Sequence, residues 1–459
     1  MEEWSSAVVV VGAGLAGFAA ALTAAGAGAE VLLCEKQEEV GGSTVMSGGS
    51  FCFTGTDLQE AQGIDDSPEL LREDLLEVGQ HRNDPALVDR YVADNLSAYH
   101  WLRQHGAEFG QVQAASGQSV PRSHPSNPRR VIDLLHVAAR QLPNLTIVTG
   151  VTADRLVRDQ DTGRVSAVRA HQGDQEFLLK AERGVVLTSG GFCQNKEMIA
   201  AFAPGKERAL RLGGLGNYGD GIRMAWQLGA GLRDMPYVKG TFGNHPQAQS
   251  GHHTACLAVY KGAIAVNKQG RRFVDESLDY KLLGDYCLEQ EDALGFQIFD
   301  QGVMRQEVPG YPIFDFQRRI TEGRMFQAPT LAELAGRIGV DPGRLRETVE
   351  SYNDTVRQGL EDPLGRRHLT HRFGSLVTLE EPPFYAYPST SAIIATYAGL
   401  TVDVRARVLD VFGDPIPDLY AAGEVMGGFH GAAYMTGSSL GKATVFGRIA
   451  GREAVGTAA

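Results

Sequence analysis

VVVVGAGLAG, residues 8–17, followed by the helical run Phe18–Ala25, the strand Glu30–Cys34 and then Glu35, decides how this chain folds. Four consecutive valines suit a strand buried on both faces. G-x-G-x-x-G at Gly12, Gly14 and Gly17 turns that strand into a helix. Gly12 permits the tight turn, Gly14 lets a pyrophosphate approach the backbone, and Gly17 lets helix pack on strand. Ala13 and Ala16 fill the turn between them, and the helix start offers unpaired N–H groups and a positive dipole end to phosphate. Gly26 and Gly28 can end the helix. Glu35 closes the second strand about 20 residues after the motif, where a carboxylate accepts ribose hydroxyls. Strand, glycine turn, helix, strand and acid in this order predict a dinucleotide-binding α/β domain.

Further along, Lys36 is followed by GGST (Gly41, Gly42, Ser43, Thr44) and by SGG (Ser47, Gly48, Gly49), a second polar glycine cluster expected beside the pyrophosphate. TSGGF contributes Ser189 and Gly190, and a GDG turn contributes Asp220. Near the end, LYAAGEVMGG supplies Gly423 and Glu424, and the last helix opens with Ser439 and Leu440. Clusters so far from the first motif favour FAD over NAD. Between them, residues 240–395 lose the strand–helix alternation. They hold a strand, GAIAVN, and helices such as TLAELAGRIG and DPGRLRETVESYNDTVRQG, before AGLTVDV returns to the first pattern. The expected architecture is therefore α/β. A discontinuous Rossmann-type FAD-binding domain (1–239 and 396–459) is interrupted by an α+β capping domain (240–395). Residues 68–108 and Pro128–Gln141 are expected to be helical, and 154–187 to form an antiparallel ribbon ahead of the apolar strand GVVL.

The chain has 459 residues, 43% of them hydrophobic, and a formal net charge of −12. That balance, without any basic run, excludes a nucleic-acid footprint. No run approaches the ~18 apolar residues of a membrane span. MEEWSS leads directly into the first strand without a basic, apolar leader, which predicts a soluble cytoplasmic protein. Five scattered cysteines without C-x-x-C read as buried small side chains, not as a metal site or disulfide framework. His252 and His253 read as a polar loop.

VVVVGAGLAG, GGST…SGG, TSGGF, GDG, GRRFVDES, LYAAGEV and HGAAY…FGRIAG together resemble one family over essentially the whole chain. It comprises the flavoprotein subunits of the fumarate reductase and succinate dehydrogenase group, with the soluble ketosteroid and tricarballylate dehydrogenases. The resemblance implies FAD, a capping domain, and an active site between the two where the flavin N5 faces the substrate.

Within that family the dicarboxylate-handling positions depart. Where the fumarate reductases carry a proton-donating arginine, four residues after their F-V-N-E glutamate, this chain has Tyr280, four after Glu276. Their substrate-binding arginine, two beyond H-G-A, corresponds to Tyr434, and their histidine before T-M-G-G corresponds to Ala395. Losing two guanidinium groups removes bidentate carboxylate recognition. DESLDY instead resembles the N-E-S-x-x-Y segment of 3-ketosteroid Δ1-dehydrogenases. That resemblance implies Tyr280 as general base, with the Tyr434 hydroxyl and the Gly437 N–H holding the substrate carbonyl in a loop one residue shorter than theirs. His430 is expected to pack near the flavin or orient Tyr434. His245 and Arg122 stand in the regions of substrate-binding groups, Arg122 in PRSHP being suited to a carboxylate. Asp275 and Glu276 are expected to fix the loop that carries Tyr280.

The function that follows is FAD-dependent desaturation of a ketone at its α,β bond, on a 3-ketosteroid or a small oxocyclohexane-carboxylate-like ring. The electrons would pass to an acceptor that the sequence does not name. The F-V-D-E-x-x-D segment also resembles tricarballylate-type dehydrogenases, which keeps that activity, or an enoate or fumarate-type reductase, as the alternative. A flavin-bearing electron-transfer subunit is a third reading, and it predicts no closed pocket at the flavin.

Overall fold

A computed structural model describes residues 2–249 and 254–456, so His252 and His253 lie outside the described residues. Val8–Val11 pair in parallel with Val31–Cys34 on one side and with Gly184–Leu187 on the other. The valines are almost fully buried, as a strand covered on both faces must be. The main sheet runs in the order Arg407–Leu409, Pro415–Ala421, Gln175–Leu187, Glu2–Val11, Val31–Cys34, Leu145–Val148. The first strand begins earlier than its apolar run because Glu2–Ser6 pair with Phe177–Ala181. The ribbon and the strand GVVL are likewise one element. Gln175–Leu187 pairs with the antiparallel strand Val165–Gln172 in its first half and with the core in its second.

The helical stretch after residue 68 is two helices, Pro68–Val78 and Pro85–Gln104. Each starts with proline at its first turn behind a capping side chain, Ser67 or Asp84, which satisfies a backbone donor that the helix leaves unpaired. Gln80 and His81 lie in the left-handed region between them. Of AGLTVDV, only Gly399–Leu400 is strand.

Leu15–Gly26 and the final helix, Ser438–Val455, lie side by side and point the same way. A Cβ at Gly447 would sit 2.6 Å from the Ala16 carbonyl oxygen, and one at Gly451 would sit 2.2 Å from that of Ala20. Glycine lets the two backbones touch, so both helix starts open toward one place.

Residues from Thr241 onward build a second sheet, ordered Thr241–Asn244, Phe384–Ile393, Gly295–Phe299, Ile264–Asn267. Leu210–Arg211 pairs with its long central strand, so this sheet takes one edge from outside residues 240–395. Its apolar cluster runs from Phe242 to Tyr387 and is joined by Tyr434 from the far end of the chain. All five cysteines are buried and free, as their scatter suggested. Among the described residues no helix is long and apolar enough to cross a membrane.

Candidate active site

One elongated cavity runs from the glycine turn to the seam between the two sheets, enclosing about 1510 Å³ with its open mouth included. Gly12, Gly14, Glu35 and Asp220 line one stretch of it, and Tyr280, Lys281, Tyr397 and Tyr434 another.

At the first stretch the glycines divide by purpose. A Cβ at Gly12 would come within 2.6 Å of the Thr188 carbonyl oxygen, and one at Gly17 within 1.9 Å of that of Gly12. Both are demanded by the protein's own packing. A Cβ at Gly14 would meet nothing closer than 3.7 Å, so the bare backbone there serves whatever occupies the cavity. Ala13, Gly17, Gly41 and Gly49 do not line the cavity but shape its wall. The Ala13 N–H donates to Glu35 at 2.8 Å, the Gly41 N–H donates to the Ala13 carbonyl at 2.9 Å, and Gly49 turns tightly against Ser126. A second N–H, from Gln37 at 2.9 Å, completes the hold on the Glu35 carboxylate.

Polar contacts tie the remaining wall together. Lys36 pairs with Asp220 at 2.6 Å. Ser43 Oγ accepts from the Gly214 N–H at 3.1 Å and from Asn217 at 2.7 Å, and Asn217 also donates to Glu424 at 3.1 Å. The half-buried Glu424 accepts the Thr396 N–H at 2.8 Å, linking three distant loops. Two helix starts, behind Gly14 and behind Gly437, carry no side-chain cap, and Ser189 Oγ is buried without a partner. Bare helix N-termini suit phosphate, and an oriented carboxylate suits ribose. These residues fit FAD.

At the second stretch, Tyr280 opens the helix Tyr280–Leu288, whose cap Asp279 accepts the Lys281 N–H at 2.7 Å. The Tyr280 and Tyr434 rings lie 5.7 Å apart, and Tyr397 stacks on Tyr434 at 4.6 Å. Burial pushes the Tyr434 phenol up, while the Gly437 and Ser439 N–H groups and the Tyr280 hydroxyl act against that push. Burial likewise raises Tyr280 and lowers Lys281. Thr436, Thr241 and the apolar Ala255, Leu257 and Ile313 close the walls.

Several expectations change. The Gly437 N–H donates to the Tyr434 oxygen at 3.1 Å instead of standing beside it as a second donor. With only two residues between them, Met435 and Thr436, the shortened loop folds that N–H back onto the phenol. Arg122 does not line the cavity. It is fully buried in ion pairs with Asp66 at 2.7 Å and with Asp74, so no charge remains for a ligand. His245 is buried against Tyr387, and His430 against Tyr397 and Tyr434; neither lines the cavity. Burial drives His430 well below the usual imidazole range, so it supports Tyr434 as a neutral ring. Glu276 does brace the Tyr280 loop, accepting from Arg272 at 2.5 Å and from the Ala265 N–H at 3.0 Å. Asp275 accepts the Ser277 N–H at 2.8 Å.

Lys281, Thr241, Tyr397 and Asn217 were not legible as site residues, because none of them occupies a motif position, even though Asn217 adjoins the GDG turn and Lys281 follows DESLDY. Only the adjacency of Lys281 to Tyr280 hinted at it. Arg122→Met would leave two buried carboxylates unpaired and is expected to destabilise the fold by about 3–5 kcal/mol, read as a lowered urea midpoint. An unchanged midpoint would refute a structural role for Arg122.

A model of the FAD binding domain matches residues 7–440. The chain belongs to that family. It is an FAD-dependent oxidoreductase acting on carbon–carbon bonds, within the fumarate reductase and succinate dehydrogenase flavoprotein superfamily. It is 32% identical over 454 residues to a fumarate reductase (cytochrome) of Shewanella frigidimarina, covering 97% of this chain and 76% of the relative. It is 32% identical to a urocanate reductase of Eggerthella lenta, covering 98% and 75%. Among solved structures it is similar to a 3-ketosteroid-Δ4-(5α)-dehydrogenase from Rhodococcus jostii RHA1 in complex with 4-androstene-3,17-dione. That match has a TM-score of 0.78 and 28% identity, and covers 99% of this chain and 98% of the other. Members of the family that reduce and members that dehydrogenate thus both stand near it.

Proposed function

We propose that this FAD-dependent oxidoreductase desaturates a ketone at its α,β bond. The observation that carries this reading is the pair of phenols, Tyr280 and Tyr434, lining one cavity with the FAD-binding residues, at positions where the resembling fumarate reductases have arginines. FAD, when bound, supplies the two-electron acceptor for the hydrogen leaving the β-carbon. Tyr434, whose oxygen already accepts the Gly437 N–H, keeps its own O–H to donate to the substrate carbonyl. Donors aimed at a developing oxyanion are often the largest single catalytic contribution. Tyr280 takes the α-proton, and the electron pair left behind closes the new double bond. Its position at the first residue of a helix puts it at the positive end of the dipole, which favours the phenolate against the cost of burial. The ring-stacked Tyr397 and the apolar Leu257 and Ile313 keep water from the carbonyl.

The same groups run in reverse would reduce a conjugated double bond, Tyr280 then giving up its proton. The names of the relatives at 32% identity favour that second reading. A cavity continuing past the FAD-binding residues into this pocket speaks against a subunit that only relays electrons. Anaerobic titration separates the readings. Desaturation expects saturated cyclic ketones to bleach the yellow FAD-loaded protein. Bleaching by saturated carboxylic acids alone, or reoxidation of the reduced protein by fumarate and not by cyclic enones, would overturn it.

A further inference from the structure

Lys281 is fully buried, and its ammonium donates a hydrogen bond to Thr241 Oγ1. It lies over the rings of Tyr397 at 4.6 Å, Tyr280 at 5.4 Å and Tyr434 at 5.7 Å. Among the described residues no carboxylate makes an ion pair with it, although Asp279, Glu424 and Asp285 act on it from a distance, each with hydrogen-bond partners of its own. Asp279 accepts from the backbone N–H of Lys281 itself and from Ser116 at 3.1 Å. Asp285 is held by Lys206 at 2.5 Å and Lys239 at 2.6 Å. Glu424 is held by Thr396 and Asn217. A buried cation without a carboxylate in contact is costly, and Lys281 lies on the cavity wall. Lys36 and Lys281 are the cations that line this cavity, and Lys36 is already paired with Asp220.

We infer that Lys281 is the specificity-determining residue of this site, holding the single carboxylate of a cyclic keto acid whose ketone lies at Tyr434. The inference rests on the ketone reading above and names its substrate class: one cation for one carboxylate, phenols for the carbonyl, and apolar walls for a ring. Two carboxylates would leave one unmatched, and a neutral ketone would leave the ammonium unmatched.

The test is anaerobic calorimetric titration of the FAD-loaded protein with 4-oxocyclohexanecarboxylate and with its methyl ester, which keeps the ketone and removes the charge. The acid is expected to bind at least about 30-fold more tightly than the ester, the low end of what losing one partner of a buried charge pair does. Lys281→Met should bring the two within about twofold, and Lys281→Arg should keep most of the preference, each with its FAD absorbance intact. Equal affinity of the unaltered protein for acid and ester, or a preference that survives in Lys281→Met, overturns the inference. If Lys281→Met does not retain FAD, the acid-to-ester ratio of the unaltered protein and of Lys281→Arg still decides. Bleaching keeps the two readings apart: tight acid binding without bleaching removes desaturation and leaves the anchor, whereas equal binding with bleaching by both removes the anchor and leaves desaturation.

Discussion

Tyr280→Phe is expected to retain FAD with an unaltered visible spectrum and to lose more than about 10²-fold in the rate of anaerobic bleaching by a cyclic ketone, the ordinary scale of acid–base help. The substitution removes one oxygen and keeps the ring. The edge contact with Tyr434 at 5.7 Å therefore survives, and so does the apolar cluster into which both rings pack. What disappears is the acceptor for the α-proton. In the variant a residual pathway through water must do without any group poised for the task. Substrate affinity should hardly move, because the proton is transferred only on the way to the transition state. Near-normal bleaching in Tyr280→Phe would remove this residue from the mechanism.

The second large effect is expected at Tyr434. Tyr434→Phe deletes the hydroxyl that would donate to the carbonyl, and loss of one such donor costs roughly 2.7–4 kcal/mol, or about 10²–10³-fold in rate. A second consequence follows from the contact with Gly437. Its N–H, which now donates to the phenol at 3.1 Å, would lose its acceptor at the start of the final helix. The structure therefore expects a modest loss of thermal stability together with the kinetic loss. Tyr434→Phe with unchanged bleaching kinetics would contradict the assignment of the carbonyl to this hydroxyl. Rates and melting temperatures measured side by side on the two variants check both expectations.

The glycine turn, Glu35, the GGST cluster and the late Gly423–Glu424 pair were legible because each imposes a local backbone demand that a few residue types meet. Gly12 and Gly17 sit where any Cβ would collide with a carbonyl oxygen, and such a collision can be anticipated from spacing alone. Tyr280 and Tyr434 were legible only through resemblance, by standing in positions that other members fill with arginine. Arg122 misled for the opposite reason. Its partners, Asp66 and Asp74, lie 56 and 48 residues away, and nothing local announces that they will neutralise it. Gly437 misled by one residue of loop length, which turned a free donor into an internal one.

The sequence by itself determined the dinucleotide fold and the cofactor class. These follow from hydrophobic periodicity and from backbone conformations open only to glycine, properties that a chain carries residue by residue. Only the tertiary structure decided which charges remain available. Whether a cation is satisfied depends on carboxylates brought from remote segments, and the same folding that buries Arg122 between two acids leaves Lys281 on the cavity wall with no carboxylate in contact among the described residues.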